Sequence, residues 1–185
     1  RTGKVETMPR ILLHTCCAPC SIYPLQQLRR QDWAVHAFFY NPNIHPYQEF
    51  ERRLITLETY AQSVQMQVII RQDYDLEGFL RAVVFREQQR CIYCYSVRLE
   101  SAARLAKKSG FDAFTTTLLY SRRQKHELIR SIAEDASRTF GIPFYYEDFR
   151  EGWREGQEKA QSLGIYRQQY CGCVYSEKER FYKAK

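Results

Sequence analysis

The chain has 185 residues, of which 44% are hydrophobic and 15% aromatic, and this composition excludes an intrinsically disordered protein. The formal net charge of +7 suits a polyanionic partner such as nucleic acid. No long apolar run occurs and residues 1–10 are polar, which predicts a cytoplasmic protein with neither a membrane helix nor a secretory signal. We expect one domain over residues 1–185, with residues 1–9 as a polar N-terminal extension.

The first half of the chain alternates predicted strands with predicted helices. Runs of strand-forming residues predict strands at 11–13, 35–40 and 68–70. Apolar residues at helical spacing predict helices at 23–30, 47–64 and 79–85. The turn signal Asn41-Pro42-Asn43 separates the second strand from the second helix.

The second half continues the same alternation. Helices are predicted at 93–108, 124–140 and 153–163, and strands at 111–117 and 144–146. Gly110 and Gly164 end the first and the last of these helices, and Pro143 leads into the fifth strand. The alternation predicts an α/β fold, in which a parallel sheet is flanked by helices on both faces in three layers and sites form beyond the carboxyl ends of strands.

Seven cysteines fall into three groups: a first group of Cys16, Cys17 and Cys20, a middle group of Cys91 and Cys94, and a last group of Cys171 and Cys173. An odd count in a chain without an export signal argues against a disulfide framework. The first group lies at a strand-to-helix turn, where the helix dipole favours thiolate, the form that binds metal. The middle pair has the spacing that puts two thiols on one helix face. We infer that the three groups converge on one metal site.

Three kinds of site remain open on the residues alone. Four of the thiolates satisfy a structural zinc ion in tetrahedral geometry. Cys17 and Cys20 resemble a thioredoxin-like dithiol, although this interpretation leaves the other cysteines without a role. Seven thiolates exceed the need of one tetrahedral ion, and thiolate-rich sets are the usual ligands of iron–sulfur clusters. We favour a cluster, with a second metal beside it.

Several longer motifs support a more specific interpretation: LHTCCAPC at 13–20, FYNPNIHP at 39–46, RCIYCY at 90–95, TTTLL at 115–119, DFR at 148–150 and YRQQYCGC at 166–173. Together they resemble the QueH family of epoxyqueuosine reductases. The resemblance implies a fold like the HUP-type nucleotide-binding α/β fold. It also implies a cobalamin-independent reductase that converts epoxyqueuosine to queuosine at the wobble position of tRNAs with GUN anticodons.

The same resemblance implies the cofactors. A [4Fe-4S] cluster and an adjacent mononuclear iron are expected, held by the six residues Cys16, Cys17, Cys91, Cys94, Cys171 and Cys173 together with Cys20. The position of Cys20 is occupied by aspartate in some relatives, which suggests that Cys20 binds the lone metal rather than the cluster. The assignment of the other cysteines between the two metals stays open.

Removing the epoxide oxygen as water consumes two electrons and two protons, whereas a [4Fe-4S] cluster passes one electron at a time. An external donor, such as ferredoxin or flavodoxin, is therefore expected, and a metal with an open position would polarise the epoxide oxygen. Asp148, His14 and His45 are the candidate proton donors, with a nearby tyrosine as a fourth choice. The alternatives are structural: His14 in the core, His45 in the turn before Pro46, and Asp148 paired with Arg150.

For tRNA, we expect phosphate contacts from Arg122, Arg123 and Lys125 and base stacking on Tyr40, with Tyr47 and Tyr120 as further aromatic candidates. A zinc-stabilised RNA-binding module without redox activity is the main alternative, because it shares the basic charge and the cysteines. An ATP-dependent tRNA-modifying enzyme of related fold would need a Gly/Ser-rich phosphate loop after the first strand, and the first cysteine group occupies that place.

Overall fold

The computed structural model describes residues 8–183. Four strands run at β1 (Arg10–His14), β2 (Ala34–Tyr40), β3 (Gln67–Arg71) and β4 (Ala113–Thr116). The α-helices within these residues are α1 (Ala18–Arg30), α2 (Tyr47–Ser63), α3 (Leu76–Val83), α4 (Arg90–Lys108), α5 (His126–Phe140), α6 (Trp153–Ser162) and α7 (Val174–Phe181). Short 3-10 turns lie at Glu87–Gln89, Thr117–Tyr120 and Phe149–Gly152.

The four strands form a parallel sheet in the order β3-β2-β1-β4. Helices α1, α2 and α6 pack on one face, while α4 and α5 pack on the other. The predicted α/β fold with three layers is confirmed. In β1 the side chains of residues 11–13 are fully buried, as expected for a central strand covered on both faces.

The strand order reverses between β1 and β4. The chain runs from β1 outward to β2 and β3, and then returns to add β4 on the other side of β1. In open α/β sheets, the crevice beyond the carboxyl ends of the strands at such a reversal is the usual place for a site. His14 ends β1 beside Thr116 of β4, so the first cysteine group leaves the sheet at this crevice.

Two local predictions are corrected. The fifth strand predicted at 144–146 is wrong, because only Phe144 forms a bridge, to Phe114 of β4. Pro143 has no N–H to extend the ladder, and the next two side chains turn to Glu147 and His126. The helix α7 was not predicted, and α1 begins at Ala18 rather than at residue 23, so it includes Cys20.

The two predicted helix-ending glycines have the expected left-handed backbone, with φ of 67° at Gly110 and 62° at Gly164. Of the predicted N-terminal extension, residues 1–7 lie outside the described residues. The single-domain organisation stays a prediction.

Candidate metal centre

The first cysteine group forms a compact set of three thiols. The Sγ atoms of Cys16, Cys17 and Cys20 all lie within 4.8 Å of one another, and all three residues are buried. Cys16 and Cys17 directly precede α1, and Cys20 lies in its first turn. The start of this helix therefore brings the three sulfur atoms close together. Within residues 8–183, no other group places three potential ligand atoms so close together.

The three thiols differ in acidity: the pKa of Cys16 is lowered, whereas the pKa values of Cys17 and Cys20 are raised. Hydrogen bonds from the Cys17 and Cys20 thiols, joined by one from Thr117, hold the pKa of Cys16 well below its ordinary value. Burial raises the pKa of Cys17, and the hydrogen bonds to its two neighbours raise that of Cys20. Metal binding therefore displaces protons from this set, and its affinity rises with pH.

The side chain of Thr117, directly after β4, fixes the first group against the sheet. The Cys16 N–H donates to Thr117 Oγ1 at 3.2 Å, and that hydroxyl donates to Cys16 Sγ at 3.4 Å. On the other side, Asn41 at the end of β2 donates from Nδ2 to the Thr15 carbonyl at 3.0 Å. The two strands that flank β1 thus hold the loop between them.

The middle group lies at the start of α4. Cys94 is buried, and its sulfur accepts hydrogen bonds from Arg98 Nη2 at 2.8 Å and from Asn43 Nδ2 at 3.2 Å. Burial raises the pKa of Cys94 to about 12, despite the Arg98 charge that favours the thiolate. The sulfurs of Cys171, Cys173 and Cys91 add to this increase, because like charges nearby oppose ionisation. The middle and last groups are therefore electrostatic neighbours.

A single cavity of about 110 Å³ joins the first and last groups. Its thirteen lining residues include Cys16, Cys20, Cys171, Trp153 and Tyr170. Polar side chains on its rim contact the sulfurs: Gln124 Nε2 donates to Cys171 at 3.1 Å and Gln168 Nε2 to Cys20 at 3.4 Å. Two arginines, Arg123 and Arg167, also line this cavity.

Side chains from α2 hold the last cysteine group. Arg53, which is 1% exposed, donates to the carbonyls of Cys171 at 2.8 Å and Tyr170 at 3.0 Å. It also pairs with Glu49 at 2.6 Å, and the other oxygen of that carboxylate accepts from Tyr166 at 2.6 Å. We call residues 163–173, between α6 and α7, the last loop, and the four-residue set of Glu49, Arg53, Tyr166 and Tyr170 the clamp.

Sequence reasoning did not identify the buried structural roles of Arg53 and Arg98. Arg53 stands on the apolar face of α2 beside Phe50, Leu54 and Leu57, and Arg98 follows Cys94 by one helical turn. A charged residue on an otherwise apolar helix face is the signal that identifies both, because such a residue needs a buried partner.

His14 is buried at the end of β1 and does not line the cavity. Its Nε2 lies 3.2 Å from the Tyr40 carbonyl and its Nδ1 lies 2.9 Å from Thr116 Oγ1. Because a carbonyl only accepts, Nε2 carries the proton and Nδ1 accepts from the threonine. Burial, assisted by the Arg98 charge, lowers the pKa of His14 to about 4, so the ring is neutral at pH 7.

His45 fastens the last loop to the turn before α2. Its backbone N–H donates to the Gly172 carbonyl at 2.8 Å, its Nδ1 accepts from the Val174 N–H at 3.3 Å, and its carbonyl accepts from the Tyr170 hydroxyl. Burial lowers the pKa of His45 to about 4.

Asp148 lies before the third 3-10 turn and pairs with Arg150 through both carboxylate oxygens, at 2.8 Å and 2.6 Å. These hydrogen bonds hold the pKa of Asp148 below its ordinary value and keep it ionised at pH 7. Neither Asp148 nor His45 lines the cysteine cavity. The predicted roles of Asp148, His14 and His45 as proton donors stay predictions.

Of the residues predicted to contact tRNA, Arg122, Arg123 and Lys125 are exposed on the loop before α5, and Arg123 lines the cysteine cavity. Tyr40 lies elsewhere: its ring stacks on Phe38, and the guanidinium of Arg71 covers it at 4.3 Å. Tyr40 lines a separate cavity that contains none of the cysteines.

The other two aromatic candidates also lie outside the lining of the cysteine cavity. Tyr120 is fully buried, whereas Tyr47 is half exposed. Sequence reasoning did not identify Trp153, although it is the aromatic ring with the largest side chain in the cavity wall.

The donor set fits a thiophilic metal. Three thiolates occupy three positions around a tetrahedral ion, and the other four cysteines form a second set of sulfur ligands nearby. Thiolates select zinc, iron and iron–sulfur clusters among biological metals. Among the described residues, no three sulfurs of the second set lie within 4.8 Å of one another, which suits a cluster whose ligands bind different irons.

The sequence of the chain is similar to one known protein family. Residues 11–179 match the family model described as epoxyqueuosine reductase QueH. The chain is 36% identical to an epoxyqueuosine reductase QueH of Dehalococcoides mccartyi, with 95% of this chain and 96% of that protein aligned. It is 35% identical to the protein of the same name in Thermotoga maritima, over 94% and 93% of the two chains.

Among solved structures, the chain resembles a predicted subunit of a tRNA methyltransferase from Methanocaldococcus jannaschii, with a TM-score of 0.56. The alignment covers 83% of this chain and 75% of that one at 13% identity, so it speaks for the fold alone. Over residues 8–183, no helix combines the length and apolar character needed to cross a membrane.

Proposed function

Because the chain belongs to the epoxyqueuosine reductase QueH family and is an oxidoreductase of queuosine biosynthesis, we propose that it reduces epoxyqueuosine to queuosine at the wobble position of tRNA with an iron–sulfur cluster. The observation that carries the proposal is the cavity lined jointly by Cys16, Cys20 and Cys171, which places sulfur ligands from two ends of the chain at one surface opening. The tRNA substrate follows from the family, and GUN anticodons are the expected targets.

We assign the seven cysteines to two metals. Cys91, Cys94, Cys171 and Cys173 would hold the [4Fe-4S] cluster, while Cys16, Cys17 and Cys20 would hold a mononuclear iron. The short spacing of the first three sulfurs and the mutual electrostatic influence of the other four support this division. When bound, the cluster supplies electrons singly and the iron supplies a Lewis acid.

The remaining cavity residues would position the substrate. Trp153 offers an aromatic surface on which a base turned out of the anticodon loop can stack, since loop bases leave their neighbours at little cost. Gln124 and Gln168 already donate to sulfur and so fix the ligands on either side of the opening.

The proton donor is expected among the residues that line the cavity. At pH 7 the Asp148 carboxyl is ionised by its bonds to Arg150, and the two histidines have pKa values near 4, so none of the three readily releases a proton. Tyr170 lines the cavity and is protonated at pH 7, because burial raises its pKa to about 12, and its hydroxyl donates to the His45 carbonyl. Tyr170 would become the proton donor when an oxygen of the substrate replaces that carbonyl as its acceptor, and we retain Asp148, His14 and His45 as alternatives.

Exposed cations around the opening would bind the phosphates of the anticodon stem-loop. Arg123 and Arg167 line the cavity, and Arg122 and Lys125 lie on the same exposed loop as Arg123. Such contacts position the RNA without reading its sequence, and they weaken as salt rises. An external one-electron donor protein, of the ferredoxin or flavodoxin kind, completes the proposed reaction.

The test begins with protein purified without oxygen. We expect iron and acid-labile sulfide near the stoichiometry of one cluster plus one iron, and a visible absorption that bleaches on reduction. Incubation with a reductant and tRNA containing epoxyqueuosine should then yield queuosine, detected by mass spectrometry of the digested nucleosides. Zinc without sulfide, and no conversion, would contradict the proposal and leave a zinc-stabilised RNA-binding module as the better interpretation.

A further inference from the structure

Two arginines are almost completely buried, and only one of them has a carboxylate partner. Arg53 and Arg98 are 1% and 2% exposed. Arg53 pairs with Glu49, but no carboxylate between residues 8 and 183 lies within ion-pair distance of Arg98. A buried charge is strongly unfavourable unless another charge neutralises it. The anionic partner of Arg98 must therefore come from another kind of group.

The Arg98 guanidinium contacts the sulfur of one cysteine directly. Nη2 donates to Cys94 Sγ at 2.8 Å, Nε donates to the Cys94 carbonyl at 3.0 Å, and Nη1 lies 3.5 Å from Asn41 Oδ1. The Cys94 sulfur is therefore the one acceptor among these three that becomes an anion when it binds a metal.

The fold gives Arg98 little freedom to move. It lies one turn after Cys94 on α4, where residues four apart share a face. Asn41 connects it to the first cysteine loop, because the same amide donates from Nδ2 to the Thr15 carbonyl at 3.0 Å. The charge is therefore rigidly placed, as is needed for a residue that acts on its neighbours through electrostatics.

We propose that Arg98 is the fixed counter-charge of the cysteine site, and that its buried guanidinium, bonded to Cys94 Sγ, raises the reduction potential of the cluster bound there. Arg98 is a positioning residue in this role. The reduced cluster carries one more negative charge than the oxidised cluster, and a nearby fixed cation favours the reduced form. The inference rests on the proposed function, since it requires that Cys94 binds the cluster.

The test compares three variants of the loaded protein by redox titration, followed through visible absorption or electron paramagnetic resonance. Arg98→Gln removes the charge, Arg98→Lys keeps it without the guanidinium fork, and Asn43→Leu removes the neutral hydrogen bond to the same sulfur. At the wild-type midpoint potential, we expect at least a tenfold lower ratio of reduced to oxidised cluster in Arg98→Gln, which is about 59 mV for one electron. Arg98→Lys and Asn43→Leu should show smaller shifts in the same direction.

The outcomes separate this inference from the proposed function. Wild-type protein without iron and sulfide would defeat the proposed function, whereas an unchanged midpoint in Arg98→Gln would defeat the role of Arg98 alone. A shift in Asn43→Leu as large as that in Arg98→Gln would also overturn it, since the charge would then have no special effect. If Arg98→Gln folds but holds no cluster, a loaded Arg98→Lys supports the inference and an unloaded one contradicts it.

Discussion

The first and last cysteine groups present the same chemistry but are held in different ways. The first group leaves the central strand β1 and is fixed from both sides by the ends of β2 and β4, through Asn41 and Thr117. The last loop has no strand beside it. The clamp and His45 hold it instead. Apart from the two tyrosines, which belong to the last loop itself, these residues lie more than a hundred positions earlier in the chain.

The difference separates a loop that continues a central strand from a loop held mainly by side chains. Residues 15–17 follow directly from β1, whose position is set by its ladders with β2 and β4, so Asn41 and Thr117 add to a placement that the sheet already makes. The last loop depends on a few charged and aromatic side chains, and several of its contacts pass through Arg53. We therefore expect the last loop to be the more sensitive region, and three experiments examine this expectation.

The largest effect is expected from Arg53→Met. This variant leaves Glu49 buried without its partner and frees the carbonyls of residues 170 and 171, and breaking a buried pair costs about 3–5 kcal/mol. Thermal and denaturant unfolding of the metal-free protein measure the loss. Arg154→Met, which breaks an exposed i,i+4 pair with Glu158 on α6, is the matched control and should lower stability much less. Equal stability of the two variants would contradict the importance of the clamp.

Acid should loosen the last loop through His45. The folded state lowers the pKa of this residue from 6.5 to about 4, so between these values the unfolded chain binds more protons than the folded chain. Its contribution to stability is complete above pH 6.5 and is lost as pH falls toward 4, by up to about 3 kcal/mol. We expect metal-free His45→Gln to lose stability less steeply than wild type over this range, as measured by unfolding at several pH values. Parallel pH profiles would exclude His45 as the cause.

The smallest effect is expected from Tyr166→Phe. This change removes a hydroxyl that donates to the buried Glu49 carboxylate at 2.6 Å, and hydrogen bonds to charged groups contribute about 1.5–3 kcal/mol. Tyr47→Phe on α2 removes a similar contact with Glu51, but at the surface and at 3.4 Å, and should change stability by under about 0.5 kcal/mol. The comparison is made by denaturant unfolding. A loss in Tyr47→Phe that matched the loss in Tyr166→Phe would argue that burial of the clamp is unimportant.

The contrast between the two regions also shows what the sequence predicts. Strands β1 to β4 and the first six helices follow from apolar runs and helical spacing, because those patterns record which face of each element is buried. The cysteine motifs are equally visible. The fifth strand was wrong because residues 144–146 have strand-forming side chains, but their pairing with β4 stops after one bridge, at Phe144.

The helix patterns mark Arg53 and Arg98 as buried charges, but the partners of the clamp and of Arg98 could not be predicted from them. Their role depends on which residues the fold brings together, as when Arg53 meets the carbonyl of Cys171 across 118 positions of sequence. Likewise, the sequence does not show that Arg71 lies over the Tyr40 ring, and base stacking on Tyr40 stays a prediction. A local sequence pattern indicates secondary-structure propensity and burial, whereas tertiary packing determines these contacts.

The walls of the cysteine cavity come from residues 16–20, 118–124, 153–157 and 167–171. Contacts between such distant segments form only after the intervening chain has been ordered, which makes them slow to appear during folding. During synthesis, the strands and α4 emerge long before Cys171 does. The first and middle cysteines are therefore made well before the cysteines of the last loop, and the wall of the cavity is complete only when the last loop has folded onto α2.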